Sequence, residues 1–363
     1  MANFSVPKGR LMLNGGAGSK AASHVADEPL TDAATSDVVL ERRITLGRGP
    51  VGDIAAGQGF VVMANAGDDS VSVIDPMTLA VVDTIAVDGQ PVAVTASDDR
   101  AYVCVAAESH DAVCAIDLEA GTVVSTHPLA SGVTALAVSP DGKRVYAGRD
   151  AQDRVDVAVI DVTAERVGTI GIGSGPAANV DALSVDPSGK RLYVAVTDAV
   201  GSRLVIVDTE TSLVHRVLPI GAPIRDIAYA GGAVYVLTSD RAVGGTVHVV
   251  DLNAMRVTDR VVVGGAPTQL TMSADQTRAY IVDYDRVAVL CTLGLDVVDS
   301  LAVDARPSCV THPADSSRLY IADYTGAVSV FSVESSIETL YSQFLATDSI
   351  ALGVSRALQP TPA

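Results

Sequence analysis

Short apolar runs alternate with turn residues along the chain, and one of these runs recurs at a nearly constant spacing. Residues 100–105 read Arg-Ala-Tyr-Val-Cys-Val, and five similar runs follow, while residues 59–64 form a divergent first copy. The central residues of the copies lie 40 to 47 residues apart, at Val61, Tyr102, Tyr146, Tyr193, Tyr235, Tyr280 and Tyr320. A period in this range predicts an array of one repeated supersecondary unit, present here seven times.

Each period contains three further apolar runs, which predict three more strands. A run such as Val-Ser-Val-Ile-Asp, ending at Asp75, follows the first landmark and most often closes on an aspartate. Another run precedes the landmark and often opens next to a proline, and a fourth follows the aspartate. Turn sequences such as residues 139–144 and 186–191 separate them, where Asp and Gly supply the turn conformations. Each period therefore predicts four antiparallel strands.

Seven small sheets cannot each bury both faces alone, but they can when they pack face to face around an axis. This arrangement is the β-propeller, and the inner strands should then be apolar or small, as residues 133–138 are. The seventh unit ends near Val333 without an outer strand. Residues 38–46 match the fourth strand of the first unit, so we expect them to complete blade seven and close the ring. The predicted fold is all-β.

Two segments lie outside the predicted ring, which occupies residues 37–334. Residues 1–36 are small and polar and are expected to form a mobile tail. Residues 335–363 predict a short helical tail, because Ser335 and Glu338 form a capping box ahead of an apolar helical face. We expect this tail to pack against the ring as a cap; a partner-binding or dimerising helix is the alternative.

The repeats resemble those of the YVTN family of seven-bladed bacterial propellers, whose unit reads approximately Tyr-Val-Thr-Asn followed by Val-Ser-Val-Ile-Asp. The best copy is residues 62–75, and the resemblance spans residues 38–333. Blades six and seven depart from it, with Cys291 and Ser332 in place of the terminal aspartate. The resemblance implies a fold and leaves the activity open, because such propellers include binding scaffolds, surface proteins and lactonase relatives. The absence of Trp disfavours WD-type repeats.

Charge and composition exclude several classes of function. The formal net charge of −18 repels phosphate backbones, which argues against nucleic acid as a ligand. No apolar run approaches the roughly 18 residues of a membrane span. The first residues contain no apolar signal-peptide core, so the expected location is the cytoplasm if residue 1 is the native start. Arginine greatly outnumbers lysine, a skew that fits a GC-rich bacterial genome.

Polar residues at the start of the predicted inner strands are the principal candidates for a site. A carboxylate on a strand that lines the axis loses water, and it then needs a partner or a ligand. Two explanations of these carboxylates remain open. In the first, they cap loop amides or pair with Arg225 in a hydrated channel. In the second, they form a ligand site. The ligand-binding candidates are Asp53, Asp181, Arg225, Asp226 and Gln269. Polar loop residues such as Tyr284 and Tyr324 are interpreted as solvated turns.

Other chemistry has little support in the sequence. There is no EF-hand loop, and the histidines lie singly in different units, so no metal site and no cofactor are predicted. No nucleophile motif is present, so no catalytic residue is assigned. Cys104 and Cys114 should lie roughly opposite one another on neighbouring strands, where a disulfide is possible, although two buried thiols are favoured.

The predicted function is therefore a non-enzymatic scaffold that presents an acidic face and the mouth of its axial channel to a protein partner or a small ligand. A lactonase-type hydrolase acting at the channel mouth is the first alternative, using Arg225 to stabilise an oxyanion. A metal-binding or redox-associated subunit is the second. The oligomeric state stays open.

Overall fold

The computed structural model describes residues 38–333, except 108–109, 131, 152–153 and 315–316. All of the secondary structure in this part of the chain is β-strand, arranged as seven antiparallel four-stranded sheets. The seven-bladed β-propeller predicted from the repeats is thus confirmed. The proposed polar tail (1–36) and helical tail (335–363) lie outside the described residues.

The first strand, β1 (Val38–Thr45), is followed by the first three blades. Blade 1 contains β2 (Val51–Gly57), β3 (Phe60–Asn65), β4 (Ser70–Asp75) and β5 (Ala80–Ala86). Blade 2 contains β6 (Gln90–Ala96), β7 (Arg100–Ala106), β8 (Asp111–Asp117) and β9 (Thr122–Leu129). Blade 3 contains β10 (Val133–Val138), β11 (Arg144–Ala151), β12 (Arg154–Asp161) and β13 (Arg166–Ser174).

Four blades complete the ring. Blade 4 contains β14 (Asn179–Val185), β15 (Arg191–Thr197), β16 (Ser202–Asp208) and β17 (Leu213–Pro219). Blade 5 contains β18 (Ile224–Ala230), β19 (Ala233–Asp240), β20 (Gly244–Asp251) and β21 (Arg256–Gly264). Blade 6 contains β22 (Pro267–Met272), β23 (Arg278–Asp283), β24 (Arg286–Cys291) and β25 (Asp296–Ala302). Blade 7 contains β26 (Pro307–Thr311), β27 (Arg318–Asp323), β28 (Ala327–Val333) and β1.

The amino-terminal strand closes the ring, as its sequence predicts. β1 pairs antiparallel with β28, so that Val38 lies opposite Val333 and Thr45 opposite Ala327. The exchange gives the last blade its fourth strand from the start of the chain. Opening the ring would therefore require breaking a full ladder of backbone hydrogen bonds as well as separating two packed blades.

The hydrophobic core lies between neighbouring blades. Each apolar cluster draws on two adjacent sheets, and the landmark tyrosines of the repeat fill these interfaces almost without exposure. The aspartates that end the third strands of blades 1 to 5 accept hydrogen bonds from the amides of the turn that follows them, as Asp117 does from Glu119 and Ala120. In blade 6 the Cys291 thiol receives the Gly294 amide instead, at 3.4 Å.

The expectation that Cys104 and Cys114 lie opposite one another was wrong by one residue of strand register. In the ladder between β7 and β8, Val103 pairs with Cys114 and Cys104 pairs with Val113. Since side chains alternate across a strand, the two cysteines lie on opposite faces of the sheet and pack into different clusters. A disulfide between them is excluded by this register, and both are buried free thiols.

Candidate functional site

All five candidate residues line one axial channel of about 590 Å³. Inner strands of every blade contribute to its wall, as expected for a propeller. The structure therefore brings Asp53, Asp181, Arg225, Asp226 and Gln269 into the same cavity. It also separates them into two sets, which the sequence analysis treated as one.

The separation arises from a β-bulge that recurs in every inner strand. Each ladder between the first and second strands shifts register by one residue near its start, for example between Ile224 and Asp226. We call the extra residues the bulge set: Gly52, Val92, Thr134, Asp181, Arg225, Thr268 and Ser308. The residues that follow them form the post-bulge set: Asp53, Ala93, Ala135, Ala182, Asp226, Gln269 and Cys309. Both sets line the channel in all seven blades.

The two post-bulge aspartates fasten one blade to the next. Asp226 accepts a hydrogen bond from the amide of Ile227 at 2.8 Å and, with its other oxygen, one from Leu270 of blade 6 at 2.8 Å. Asp53 makes the same contacts, with Ile54 and with Val94 of blade 2, both at 2.9 Å. Neither aspartate forms an ion pair with Arg225 in the described part of the chain. Of the two explanations that avoid a ligand, the amide cap is the one observed, and it acts on strands of the adjacent blade.

Gln269 extends this fastening across the point where the ring closes. Its side-chain oxygen accepts a hydrogen bond from the Val310 amide of blade 7 at 2.8 Å, and its Nε2 donates to Asp53 of blade 1 at 3.1 Å. Blade 7 has the small Cys309 at this position, so the glutamine amide reaches past it. The three polar residues of the post-bulge set thus link blades 5, 6, 7, 1 and 2 in one connected series.

Burial perturbs the acidity of both aspartates. Loss of water raises the pKa of Asp53 to about 6, against the opposing effect of its hydrogen bonds from Val94, Ile54 and Gln269. The pKa of Asp226 rises to about 7, again mainly through burial, and the negative charge of Asp53 adds to the shift. These carboxyls take up protons near neutral pH while they cap backbone amides.

The bulge set presents a different environment. Asp181 of blade 4 is half-buried, and its Oδ2 atom has no hydrogen-bond partner among the described residues. Arg225 of blade 5 is exposed to the channel and forms no ion pair or hydrogen bond with any described residue. Burial raises the pKa of Asp181 to about 6, and Thr197 and Arg225 nearby oppose that rise. These two side chains retain unused bonding capacity.

A second cluster lies at the mouth of the channel, on loops of blades 6 and 7. The Arg306 guanidinium lies between two tyrosine rings, 4.7 Å from the centroid of Tyr284 and 5.0 Å from that of Tyr324. These three residues are called the mouth cluster. Tyr284 is 60% exposed and Tyr324 47%, and Tyr324 also lines the channel. The two cation–π contacts favour this arrangement of the three side chains.

The loops that hold the mouth cluster are firmly anchored. Tyr324 donates its amide to the Arg306 carbonyl at 3.2 Å, which ties two of the loops together. Asp323, which precedes Tyr324, accepts hydrogen bonds from the amides of Thr325 and Ala327. Asp283, which precedes Tyr284, accepts one from the amide of Ala266. The cluster is consequently preorganised.

Sequence reasoning missed the mouth cluster. Tyr284 and Tyr324 were interpreted as solvated turn residues, and Arg306 was not singled out. The available signal was positional, because each tyrosine directly follows the last residue of the second strand in consecutive repeats. The arginine comes from a third loop, and its approach to both rings depends on how two neighbouring blades are packed.

The predicted acidic face is partly neutralised by arginines. Asp68 pairs with Arg48, Asp198 with Arg203, and Arg43 reaches two aspartates of blade 7 and its entry loop. Within residues 38–333, excluding the gaps, no group of three His, Cys, Asp or Glu side chains is placed to hold a metal ion. The same residues contain no helix long and apolar enough to cross a membrane.

Comparisons with known proteins agree with the fold. A seven-bladed β-propeller protein of Mycolicibacterium smegmatis is 51% identical over 320 residues, which cover 87% of this chain and 87% of the relative. One of Mycobacterium tuberculosis is 31% identical over 319 residues, covering 77% of this chain and 81% of the relative. No protein-family model matches the chain. These relatives are described as seven-bladed β-propeller proteins and not as YVTN-repeat proteins, so the finer resemblance stays a prediction.

A solved structure of hydrazine synthase from Kuenenia stuttgartiensis superposes with a TM-score of 0.71. The match covers 80% of this chain and 98% of that one at 19% sequence identity. At this identity the likeness shows a shared fold and no shared chemistry.

Proposed function

The chain belongs to the family of seven-bladed β-propeller proteins, and from that premise we propose that it is a non-enzymatic scaffold that binds a protein partner at its channel mouth. The observation that supports this proposal most strongly is the mouth cluster. Tyrosine and arginine are, with tryptophan, the residue types most enriched in the energetically dominant centres of protein interfaces. Here both types are exposed, and their arrangement is favoured by cation–π contacts and by hydrogen-bonded loops.

Preorganisation strengthens the argument for a partner. Side chains that are immobile before binding lose little conformational entropy when a partner docks, so more of the contact energy appears as affinity. Arg306 forms cation–π contacts with both tyrosines but no ion pair with a described residue, whereas Arg43, Arg48 and Arg203 are each paired with aspartate. Its guanidinium edge is therefore available to a carbonyl or carboxylate of the partner.

Site-specific photo-crosslinking in cells tests the proposal. A photo-reactive phenylalanine analogue replaces Tyr284 in one variant and Tyr324 in another, and Leu293 in the control. Leu293 is 72% exposed and lies in the same blade, in the turn between β24 and β25, on the opposite face of the ring. We expect positions 284 and 324 to crosslink the same protein and Leu293 to give none of it. Equal labelling from Leu293, or no reproducible product from the mouth, would contradict the proposal.

A lactonase-type hydrolase remains the competing function. It requires a carboxylate that is free to accept a proton from water. The caps on backbone amides made by Asp53 and Asp226 favour a structural role for both, which leaves Asp181 as the candidate base among the described channel residues. Lactone hydrolysis at enzymatic rates by the purified protein, abolished by Arg225→Ala, would favour the hydrolase over the scaffold.

A further inference from the structure

The bulge set forms a polar arc inside the channel that the mouth cluster does not use. Five consecutive blades, from blade 3 to blade 7, contribute Thr134, Asp181, Arg225, Thr268 and Ser308, while Gly52 and Val92 complete the circle. The arc thus contains one negative and one positive side chain, on adjacent blades, flanked by hydroxyl groups. The opposite side of the circle provides no polar side chain.

The two charges in the arc do not neutralise each other. The positive charge of Arg225 is near enough to oppose the rise in the pKa of Asp181, yet the two side chains form no ion pair. Asp181 Oδ2 is buried and has no hydrogen-bond partner among the described residues, which is unusual for a carboxylate in a folded protein. Among the described residues the Thr197 hydroxyl is the donor near this carboxyl, and the Oδ2 atom is left for a donor from a ligand.

Four other polar residues of the channel wall already have hydrogen-bond partners within the protein. Asp53, Asp226 and Gln269 are occupied by amides of the neighbouring blades, so they have little capacity for a ligand. The Thr134 hydroxyl donates to the carbonyl of Val180 at 2.6 Å, and this bond holds the residue that precedes Asp181 in β14. The cavity of about 590 Å³ lies within the range of small-molecule sites.

We propose that Asp181 and Arg225 bind a small zwitterion, a free α-amino acid, in the axial channel. The ammonium group donates to Asp181, and the carboxylate accepts hydrogen bonds from the Arg225 guanidinium. A ligand with both charges, placed in the opposite order to the two protein groups, compensates both at once. A ligand with one charge leaves the other protein group uncompensated, and a neutral sugar compensates neither.

Isothermal titration calorimetry on the full chain tests this site with defined probes. The common α-amino acids are screened first at about 10 mM, within the weak-affinity range accessible to the method. Any amino acid that binds is then compared with its methyl ester, which lacks the carboxylate, with its N-acetyl derivative, which lacks the ammonium, and with glucose. We expect the free amino acid to bind and each of the three comparison probes to bind at least about tenfold more weakly.

Variants assign the binding to the two residues. Asp181→Asn removes the charge and keeps the size of the side chain, whereas Arg225→Gln removes the charge and shortens the side chain but keeps an amide donor. Each is expected to weaken binding by at least about tenfold. Arg241→Gln, in an exposed loop of blade 5 outside the channel, is the matched control and should bind as the unmodified protein does. Circular dichroism melting of all three variants separates loss of binding from loss of folding.

Several results would overturn the proposal. They are the absence of binding by every amino acid in the screen, equal binding of the ester or the acetylated probe, binding of glucose alone, and full affinity in folded Asp181→Asn or Arg225→Gln. None of them bears on the crosslinking test of the mouth cluster, because that cluster involves none of the bulge residues.

Discussion

The two halves of the ring use side chains at different places to hydrogen-bond each blade to the next. From blade 5 through blades 6, 7 and 1 to blade 2, neighbouring blades are fastened inside the channel by Asp226, Gln269 and Asp53. Between blades 2 and 5 the post-bulge residues are alanines, and the fastening moves outward to the loops and strand ends. There Asp111 and Asp150 accept amides of the following blade at 2.8 to 2.9 Å, and the Thr197 hydroxyl accepts the amide of Ile224 at 3.3 Å.

The contrast shows why charged residues on the axis need not indicate a ligand. Both halves cap backbone amides near the start of an inner strand, but at different positions. The polar half caps the amides of Val94, Leu270 and Val310, which follow the bulge. The alanine half caps those of Val133, Val180 and Ile224, which precede it. The polar half includes the closure between blades 7 and 1, where the two inner strands come from opposite ends of the ring sequence. Gln269 and Asp53, 216 residues apart, join across it.

The largest effect that we predict comes from Gln269→Glu. The carboxylate keeps the acceptor for Val310, but it can no longer donate to Asp53 and places a second negative charge beside it. We expect a loss of about 3 kcal/mol in the free energy of unfolding at pH 8, and a smaller loss at pH 5, where one proton shared by the pair relieves the repulsion. Urea unfolding at both pH values measures this. Equal losses at the two values would mean that Gln269 and Asp53 do not interact.

The pH dependence of the unmodified protein is the second prediction. The pKa values of Asp53 and Asp226 are raised in the folded state, to about 6 and about 7, so the folded protein binds protons more tightly than the unfolded chain. Their contribution to stability is present at low pH and is lost as pH rises through these values. We expect the unfolding free energy to fall by about 2 kcal/mol between pH 6 and pH 8.

Asp226→Asn serves as the matched variant for this pH series. Because the amide does not titrate, its curve should be flatter than that of the unmodified protein over the same interval. The same slope in both proteins would place the titrating group elsewhere.

A smaller effect is expected when a channel cap is removed altogether. Asp226→Ala leaves the Ile227 and Leu270 amides without an acceptor, which we expect to lower the unfolding free energy at pH 5 by roughly 1–2 kcal/mol. In Asp240→Ala the capped amides, those of Ala242 and Val243, are exposed, and water replaces the carboxylate at little cost. Thermal melting compares the two variants. Equal decreases in melting temperature would show that a cap inside the channel contributes no more stability than an exposed one.

The smallest predicted effect transfers the polar arrangement to the alanine half. In Ala135→Asp the new carboxylate lies at the position equivalent to Asp53 and has the Leu183 amide of blade 4 as its cross-blade donor. We expect a change in unfolding free energy within about 1 kcal/mol, because the new hydrogen bonds offset the cost of burial. Ala93→Asp should be more destabilising, since Asp53 already accepts the Val94 amide there.

Much of this architecture could be predicted from the sequence. The spacing of the landmark tyrosines and the match of residues 38–46 to an outer strand were sufficient for seven blades and for their closure. Those patterns express burial and strand pairing, which are local or periodic. The equivalence of Asp53 and Asp226 was also evident from their flanking residues.

The division of the channel residues could not be predicted, because it depends on a bulge of one residue. That bulge places Asp181 and Arg225 in a set different from Asp53, Asp226 and Gln269, although all five begin inner strands. A one-residue slip likewise separated Cys104 from Cys114. Tertiary packing sets strand register to the single residue, and apolar periodicity leaves it undetermined.

Hydrogen exchange of individual amides, measured by NMR in Asp226→Ala, tests the central claim that post-bulge polar residues fasten the blades. We predict that the Leu270 amide loses its protection by at least about tenfold, while the Val94 and Val310 amides, capped by Asp53 and Gln269, keep theirs. Unchanged protection at Leu270, or an equal loss at all three amides, would contradict it.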